Sequence, residues 1–250
     1  MAVLGCGAGF CAAARSAIED NTVPTTSGFI ETLIPHLLRQ LQNNRELKRA
    51  GTLAIFSVNH LLSKLPLARL DVAQLFGRSG PLHVDLGCGD GSFLCELAQQ
   101  LPGKNFLGIE RLTRRAEKVR RKAEKIENVR VLRADTLFAV RYLLPENSVE
   151  TFYLLFPDPW PKRRHQFRRI FTRKFLDAIA FALEEHGFLR VATDQLDYFG
   201  QIERLSRTDS KFAIVDRDDV VLPVTRFERL FREQGLRIYQ LTLRKTSPVK

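Results

Sequence analysis

The four cysteines, Cys6, Cys11, Cys88 and Cys95, form no C-x-x-C pair and have no histidines at ligand spacing beside them, which excludes a zinc-ribbon or zinc-finger arrangement. His36, His60, His83 and His186 are likewise scattered, so no metal is expected. No apolar run approaches the roughly 20 residues that a membrane-spanning helix needs. The first twenty residues lack a basic n-region, and their apolar stretch is short and interrupted for a secretory leader. These absences lead to the expectation of a cytoplasmic protein with reduced thiols and no membrane partner. No internal repeat is present, and acidic residues are in the minority.

What the chain has instead is positive charge and a sizeable apolar fraction. Lysine and arginine number 39 against 28 acidic residues, a formal charge of +11, which makes nucleic acid or another polyanion the natural partner. With 250 residues and 44% hydrophobic content, the chain can bury a substantial core, expected as one α/β domain plus a modest extension. Residues 1–50 read as that extension, helical or partly mobile, and the domain is expected to run over 51–250.

From Pro81 strand and helix patterns alternate. Leu82–Leu86, Asn105–Glu110, Asn128–Arg133, Val149–Phe156 and Gly187–Ala192 read as strands, each an apolar run of buried-strand length. Helices are expected over Ser92–Leu101, Leu112–Glu127, about Leu137–Leu144 and about Arg169–Glu185. Such βαβ units predict a mostly parallel sheet with helices on both faces and all five strand tips on one edge. Phe212–Val221 and Arg237–Arg244 predict two further strands, with Thr225–Glu228 opening a short helix between them as part of an edge hairpin-like addition.

The first strand leads into Gly87-Cys88-Gly89-Asp90-Gly91, a turn in which glycine permits tight bending and close approach of a ligand to bare backbone. The spacing is G-x-G-x-G, not the G-x-G-x-x-G of dinucleotide folds, which argues against a nicotinamide oxidoreductase. Asp85, just before the turn, would repel a pyrophosphate but suits a cationic ligand with an amino-acid head group, such as S-adenosylmethionine. Glu110 ends the second strand about 20 residues on, where a carboxylate accepts from ribose hydroxyls. Asp135 follows the third strand and reads either as an acceptor for an adenine amino group or as a helix cap. A near-copy of the turn, Gly5-Cys6-Gly7-Ala8-Gly9, lacks a preceding strand and is rejected on context.

The fourth strand delivers Phe156-Pro157-Asp158-Pro159-Trp160-Pro161, followed by Lys162, Arg163, Arg164, His165, Arg168 and Arg169. Prolines on both sides of Asp158 stiffen the turn and are expected to push the residues before them into extended backbone. An acid held at a strand's carboxyl end is well mounted for chemistry, and the cations beside it offer contacts to phosphate. Trp160 reads either as a packing element of the turn or as a stacking surface for a base. The charged helix after Glu110 carries Arg111, Arg114, Arg115, Lys118, Arg121, Lys122 and Lys125, as a solvated face or a further RNA contact.

Taken in order, the glycine turn, Glu110, Asp135, PDPW with its K-x-R-H continuation, Thr193-Asp194 and Thr225-Arg226-Phe227-Glu228 resemble the bacterial TrmB family of tRNA (guanine-N7-)-methyltransferases. The resemblance runs from about Pro81 to Lys245. It implies a Rossmann-like class I methyltransferase fold, with a cofactor half over about 81–150 and a substrate half over about 151–250. It also implies S-adenosylmethionine as cofactor, tRNA as substrate and N7 of guanine 46 in the variable loop as target. Carried over residue by residue, it assigns cofactor contacts to Asp85, Gly87, Gly89, Glu110, Asp135 and Asp158, with Asp158 also catalytic. Lys162, Asp194, Thr225, Arg226, Phe227 and Glu228 match substrate-binding positions, while Arg163, Arg164, Arg168 and Arg169 are further candidate phosphate contacts. A monomer or homodimer without an obligatory protein partner is expected. The chain departs from the family's pattern at Asp85, where Glu is more frequent, and at Phe227, where Tyr is common. Its first fifty residues differ from the family's short basic arm.

Guanine N7 carries an unprotonated lone pair, so its attack needs no general base. Asp158 is accordingly expected either to stabilise the charge that develops on the base or to position the base by accepting from its N–H groups. The competing readings are a small-molecule methyltransferase sharing only the cofactor half, and a non-catalytic RNA-binding protein on the same scaffold.

Overall fold

The computed structural model describes residues 69–216 and 222–246. The extension over residues 1–50 and the near-copy of the glycine turn lie outside the described residues. A short helix, α1 (Val72–Phe76), precedes β1 (Leu82–Leu86), α2 (Ser92–Gln100), β2 (Asn105–Glu110), α3 (Thr113–Ala123) and β3 (Val129–Arg133). Next come α4 (Thr136–Phe138), which continues as a π-helical stretch over Ala139–Leu143, and β4 (Val149–Leu155). After a 3-10 turn at Arg163–Arg168 follow α5 (Arg173–Ala182), β5 (Leu183–Thr193) and α6 (Leu196–Arg207). The chain then runs through β6 (Phe212–Val215), α7 (Arg226–Glu233) and β7 (Tyr239–Lys245).

One seven-stranded sheet, ordered β3-β2-β1-β4-β5-β7-β6, organises these elements. Neighbours among β1 to β5 pair in parallel, whereas β7 is antiparallel to both β5 and β6. The expected parallel sheet is therefore present. The last two strands form the expected edge addition, with β7 inserted beside β5 and β6 outermost.

Every residue of β1 and β2 is buried, His83, Asp85, Asn105 and Glu110 included, as expected for strands covered on both faces. Phe106, Phe152, Phe171 and Phe175 are among the largest wholly buried side chains. Truncating one of them, Phe152→Ala for example, costs about 3–5 kcal/mol by lost burial and cavity formation. Helix α2 inserts Phe93, Leu94 and Leu97 into the cluster that also holds Phe106, Val119 and Tyr153.

Several boundaries differ from expectation: α3, expected to reach Glu127, ends at Ala123, and the strand expected over Phe212–Val221 is β6 (Phe212–Val215), residues 217–221 lying outside the described residues. The helix expected to reach Glu185 stops at Ala182, and the chain at once becomes β5 through a Leu183–Val149 pairing. The register then jumps to Thr151–Phe188. His186 takes φ 65 in this irregular stretch, and a Cβ on Gly187 would lie 2.9 Å from the Glu150 carbonyl oxygen. A close backbone approach, invisible in local pattern, has overridden helix propensity here.

Parallel pairing brings the carboxyl ends of β1 to β5 to one edge. Along that edge the sheet order sets out Asp135, Glu110, Asp85, Asp158 and Asp194 as successive strand-end acids. With strands about 4.8 Å apart, the row spans about 19 Å. It crosses the β1/β4 switch point, where open α/β sheets form their ligand crevice.

Candidate active site

The glycine turn leaves β1 with Gly87, Gly89 and Gly91 at φ 83, 58 and 71, all in the left-handed region. Their surroundings divide their purposes. A Cβ on Gly87 would meet nothing within 4 Å and one on Gly89 only the Gly87 carbonyl at 3.8 Å, whereas one on Gly91 would sit 2.4 Å from Val119 Cγ1. Gly91 thus lets α3 close against the turn, and Gly87 and Gly89 leave bare backbone beside open space.

The turn's own amides are largely consumed. Gly87 and Cys88 donate to the Ile109 carbonyl at 2.8 and 3.0 Å, and Gly91 donates to the Cys88 carbonyl at 2.8 Å. Gly89 donates to Glu110 Oε2 at 3.1 Å, and Ser92 to Asp90 Oδ1 at 3.1 Å. Donors committed in this way do not form a phosphate-binding nest. Lys122 of α3, one of the cations expected on a solvated face, ties the turn down through the Asp90 carbonyl and Ser92 Oγ.

Two carboxylates converge beneath this turn. Glu110 is buried and also accepts from the Leu112 amide at 2.8 Å, which leaves lone pairs on both its oxygens. Asp85 is 5% exposed. Burial, reinforced by the Glu110 charge, raises its carboxyl to about 7. A buried pair of this kind favours a ligand that brings positive charge. Asp135 is exposed, and its Oδ1 caps α4 by accepting from Phe138 N at 3.1 Å, so the capping role is real.

The loop after β4 is built differently. Phe156 and Trp160 adopt φ 52 and 43, although each precedes a proline. The extended backbone expected at Phe156 is absent, and such a conformation for a bulky residue costs on the order of 1–3 kcal/mol. Neighbouring side chains hold it. Phe156 packs on Phe231 of α7 with ring centroids 5.5 Å apart, and its amide donates to the Ala192 carbonyl. Trp160 meets His165 edge-on at 5.9 Å and carries the Arg168 guanidinium over its ring at 4.9 Å. It therefore packs into the turn.

Arg169 corrects the sequence reading. It is 4% exposed, because its guanidinium is spent inside the protein and does not face solvent phosphate. Nε donates to the Pro159 carbonyl at 2.8 Å, one terminal nitrogen to Gln201 Oε1 at 2.8 Å and the other to Asp197 Oδ2 at 2.5 Å. The guanidinium also lies 4.7 Å over the Tyr198 ring. It is a strut fastening the proline loop to α6. Asp158, at the loop's centre, is exposed and close enough to Tyr198 that its charge adds to the burial that raises the phenol. Asp197, Tyr198 and Gln201 were not singled out in the sequence. The i,i+4 spacing of Asp197 and Gln201, which puts both on one helix face, was the available signal.

Lys162, Arg163, Arg164 and Arg168 are exposed around Asp158. Asp194 follows β5, and its Oδ2 accepts from Gln195 Nε2. Within the last motif the side chains divide. Thr225 is buried and caps α7 by accepting from Glu228 N at 2.9 Å, while Glu228 is buried and pairs with Arg232. These two side chains fix the start of the helix. Arg226 and Phe227 are the exposed pair, and Phe227 stacks on Phe231, which touches Phe156. The last motif is thereby joined to the proline loop. Among the described residues no group of three or more histidine, cysteine or acidic side chains is placed to hold a metal.

Comparison with known proteins adds to this geometry. A family model described as "Putative methyltransferase" matches residues 79–241. A tRNA (guanine-N(7)-)-methyltransferase of Thermotoga maritima is 36% identical over 72% of this chain and 59% of its own length. The chain thus spans less than two thirds of that relative. The enzyme of the same name from Halorhodospira halophila is 36% identical over 70% of this chain and 79% of its own, and that of Rubrobacter xylanophilus 33% over 74% and 84%. Among solved structures, the 16S rRNA methyltransferase KamB superposes with a TM-score of 0.54 at 18% identity, covering 74% of this chain and 97% of its own. The aminoglycoside resistance methyltransferase NpmB1 gives 0.51 at 18% identity, covering 73% and 95%. At that identity the likeness concerns the fold alone. The motifs that the fold brings to this edge fall within the matched span, and the chain belongs to the tRNA (guanine-N(7)-)-methyltransferase family.

Proposed function

We propose that this protein transfers the methyl group of S-adenosylmethionine to N7 of guanine 46 in the variable loop of tRNA. The observation that carries this reading is the pairing, on adjacent strands, of a cation-favouring cradle with an exposed acid ringed by cations. The cradle is the β1 turn, whose amides are committed and whose carboxylates Asp85 and Glu110 are buried. The acid is Asp158 on the β4 loop.

The residues fit such a cofactor. Asp85 takes its positively charged amino group, Glu110 accepts from the ribose hydroxyls with its remaining lone pairs, and Asp135 accepts from the adenine amino group beside its capping bond. Gly87 and Gly89 let the ligand lie against bare backbone. When bound, S-adenosylmethionine supplies an electrophilic methyl on a sulfonium. The chain's task is to bring N7 into line with it, since a lone-pair nucleophile needs orientation and not deprotonation. Asp158 stabilises the positive charge that passes to the guanine. Lys162, Arg163, Arg164 and Arg168 neutralise phosphates, and Asp194, Thr225, Arg226, Phe227 and Glu228 complete the substrate side. Phosphate contacts of this kind set affinity and its salt dependence, not base choice.

The test is incubation with labelled cofactor and unmodified tRNA, followed by mapping of the modified nucleotide. The expected product is a single N7-methylguanosine at position 46. Label elsewhere, or none on tRNA, overturns the reading.

A further inference from the structure

Phe167 is 78% exposed, the most exposed of the large apolar side chains among the described residues. It stands in the 3-10 turn Arg163–Arg168, on the loop that follows β4. The residues around it are fixed: Gln166 Nε2 donates to Asp197 Oδ2 at 3.2 Å, and Arg169, two positions on, is buried against the same carboxylate. A ring held out by anchored neighbours forgoes burial that would otherwise stabilise the fold. Beside it the Arg168 guanidinium lies 5.6 Å over the Phe167 ring and 4.9 Å over the Trp160 ring, so a cation bridges the two aromatics. Exposed Lys162, Arg163 and Arg164 surround the group with positive charge.

We infer that Phe167 is the stacking platform for an unpaired nucleobase of the bound RNA, seated outside the pocket of the reacting guanine. This rests on the proposed tRNA substrate and extends it to a second base subsite. The surrounding cations select a polyanion, and an apolar ring among them requires a ligand that carries a flat π-face together with phosphate. A nucleotide with its base unstacked has both. Stacking is tolerant of base identity, so the platform adds affinity and register without a sequence requirement.

Replacing the ring with Ala removes base stacking and lowers RNA affinity by about 5- to 150-fold. The experiment measures tRNA binding by anisotropy over a range of salt for the parent, Phe167→Ala, Phe167→Trp and Phe167→Lys, with cofactor affinity as the control for folding. The expected result is weaker binding for Ala at unchanged salt slope, recovery for Trp with quenching of its emission relative to the parent, and no recovery for Lys. Parent-like affinity for Ala, failure of Trp to recover, or recovery by Lys with a steeper slope would each overturn the platform. A parent that methylates tRNA while Phe167→Ala binds it unchanged sinks the platform alone; a parent that neither binds nor methylates tRNA sinks the functional reading beneath it.

Discussion

The loops after β1 and β4 are neighbours on one sheet edge and both require left-handed backbone, but they meet the requirement in opposite ways. The β1 turn uses three glycines, for which the conformation carries little steric penalty. The β4 loop uses Phe156 and Trp160, for which it is costly, and holds them with Phe231, His165, Arg168 and the Arg169 strut. The first loop is a cradle defined by missing side chains and committed amides. The second is a rigid platform defined by large side chains, with Asp158 at its centre. A cofactor needs space against the backbone, whereas a base presented for reaction needs a fixed acid, and under the proposed function each loop supplies one of these.

The comparison predicts which step each variant damages. Asp158→Ala should lower kcat by about 10²–10³-fold while tRNA affinity stays within a few-fold, checked by steady-state kinetics and calorimetry. Arg169→Ala comes next. Freeing the Pro159 carbonyl, Gln201 and Asp197 should lower kcat by about 10–10²-fold through misplacement of Asp158. Its salt slope of tRNA binding should stay at the wild-type value, whereas loss of a phosphate contact would reduce that slope by about 0.7–0.9. Asp197→Asn should show the same kcat defect in milder form.

Gly91→Ala should be the most destabilising change in the cradle, by about 2–4 kcal/mol in denaturant melts, since its Cβ would overlap Val119. Val119→Ala should recover part of that loss. Gly87→Ala, whose Cβ meets nothing within 4 Å, should cost only about 1 kcal/mol but weaken the cofactor.

A further effect is that of pH on cofactor binding. Asp85 is raised from 3.8 to about 7, so in the free protein its favoured state is protonated, and its contribution to stability is lost as pH climbs through that window. A cationic ligand favours the ionised form. Cofactor affinity should therefore rise as pH goes from about 5 to about 7 and level off above, and Asp85→Asn should flatten the profile while lowering affinity throughout.

The parallel core was legible because β1, β2 and β4 are rich in apolar residues between turn signals, and Glu110 and Asp158 fall at or just past the ends of those runs. The start of β5 was not, because Leu183-Glu184-Glu185-His186 suits a helix and only its pairing beside β4 makes it strand. The insertion of β7 between β5 and β6 is equally a matter of long-range pairing. In the site, the cradle acids could be read from position alone. Arg169 could not, since an arginine in a basic run looks the same whether its guanidinium meets water or a carbonyl ten residues back. Phe156 and Trp160 ran against the local rule for residues before proline, and tertiary contacts decided their backbone.

The division between cradle and platform is tested most directly by single-turnover methyl transfer to tRNA at rising cofactor concentration, for Gly87→Ala and Asp158→Ala side by side. Saturating cofactor should bring Gly87→Ala to within a few-fold of the parent rate and leave Asp158→Ala about 10²-fold or more below it. Rescue of both variants, or of Asp158→Ala alone, would contradict the account.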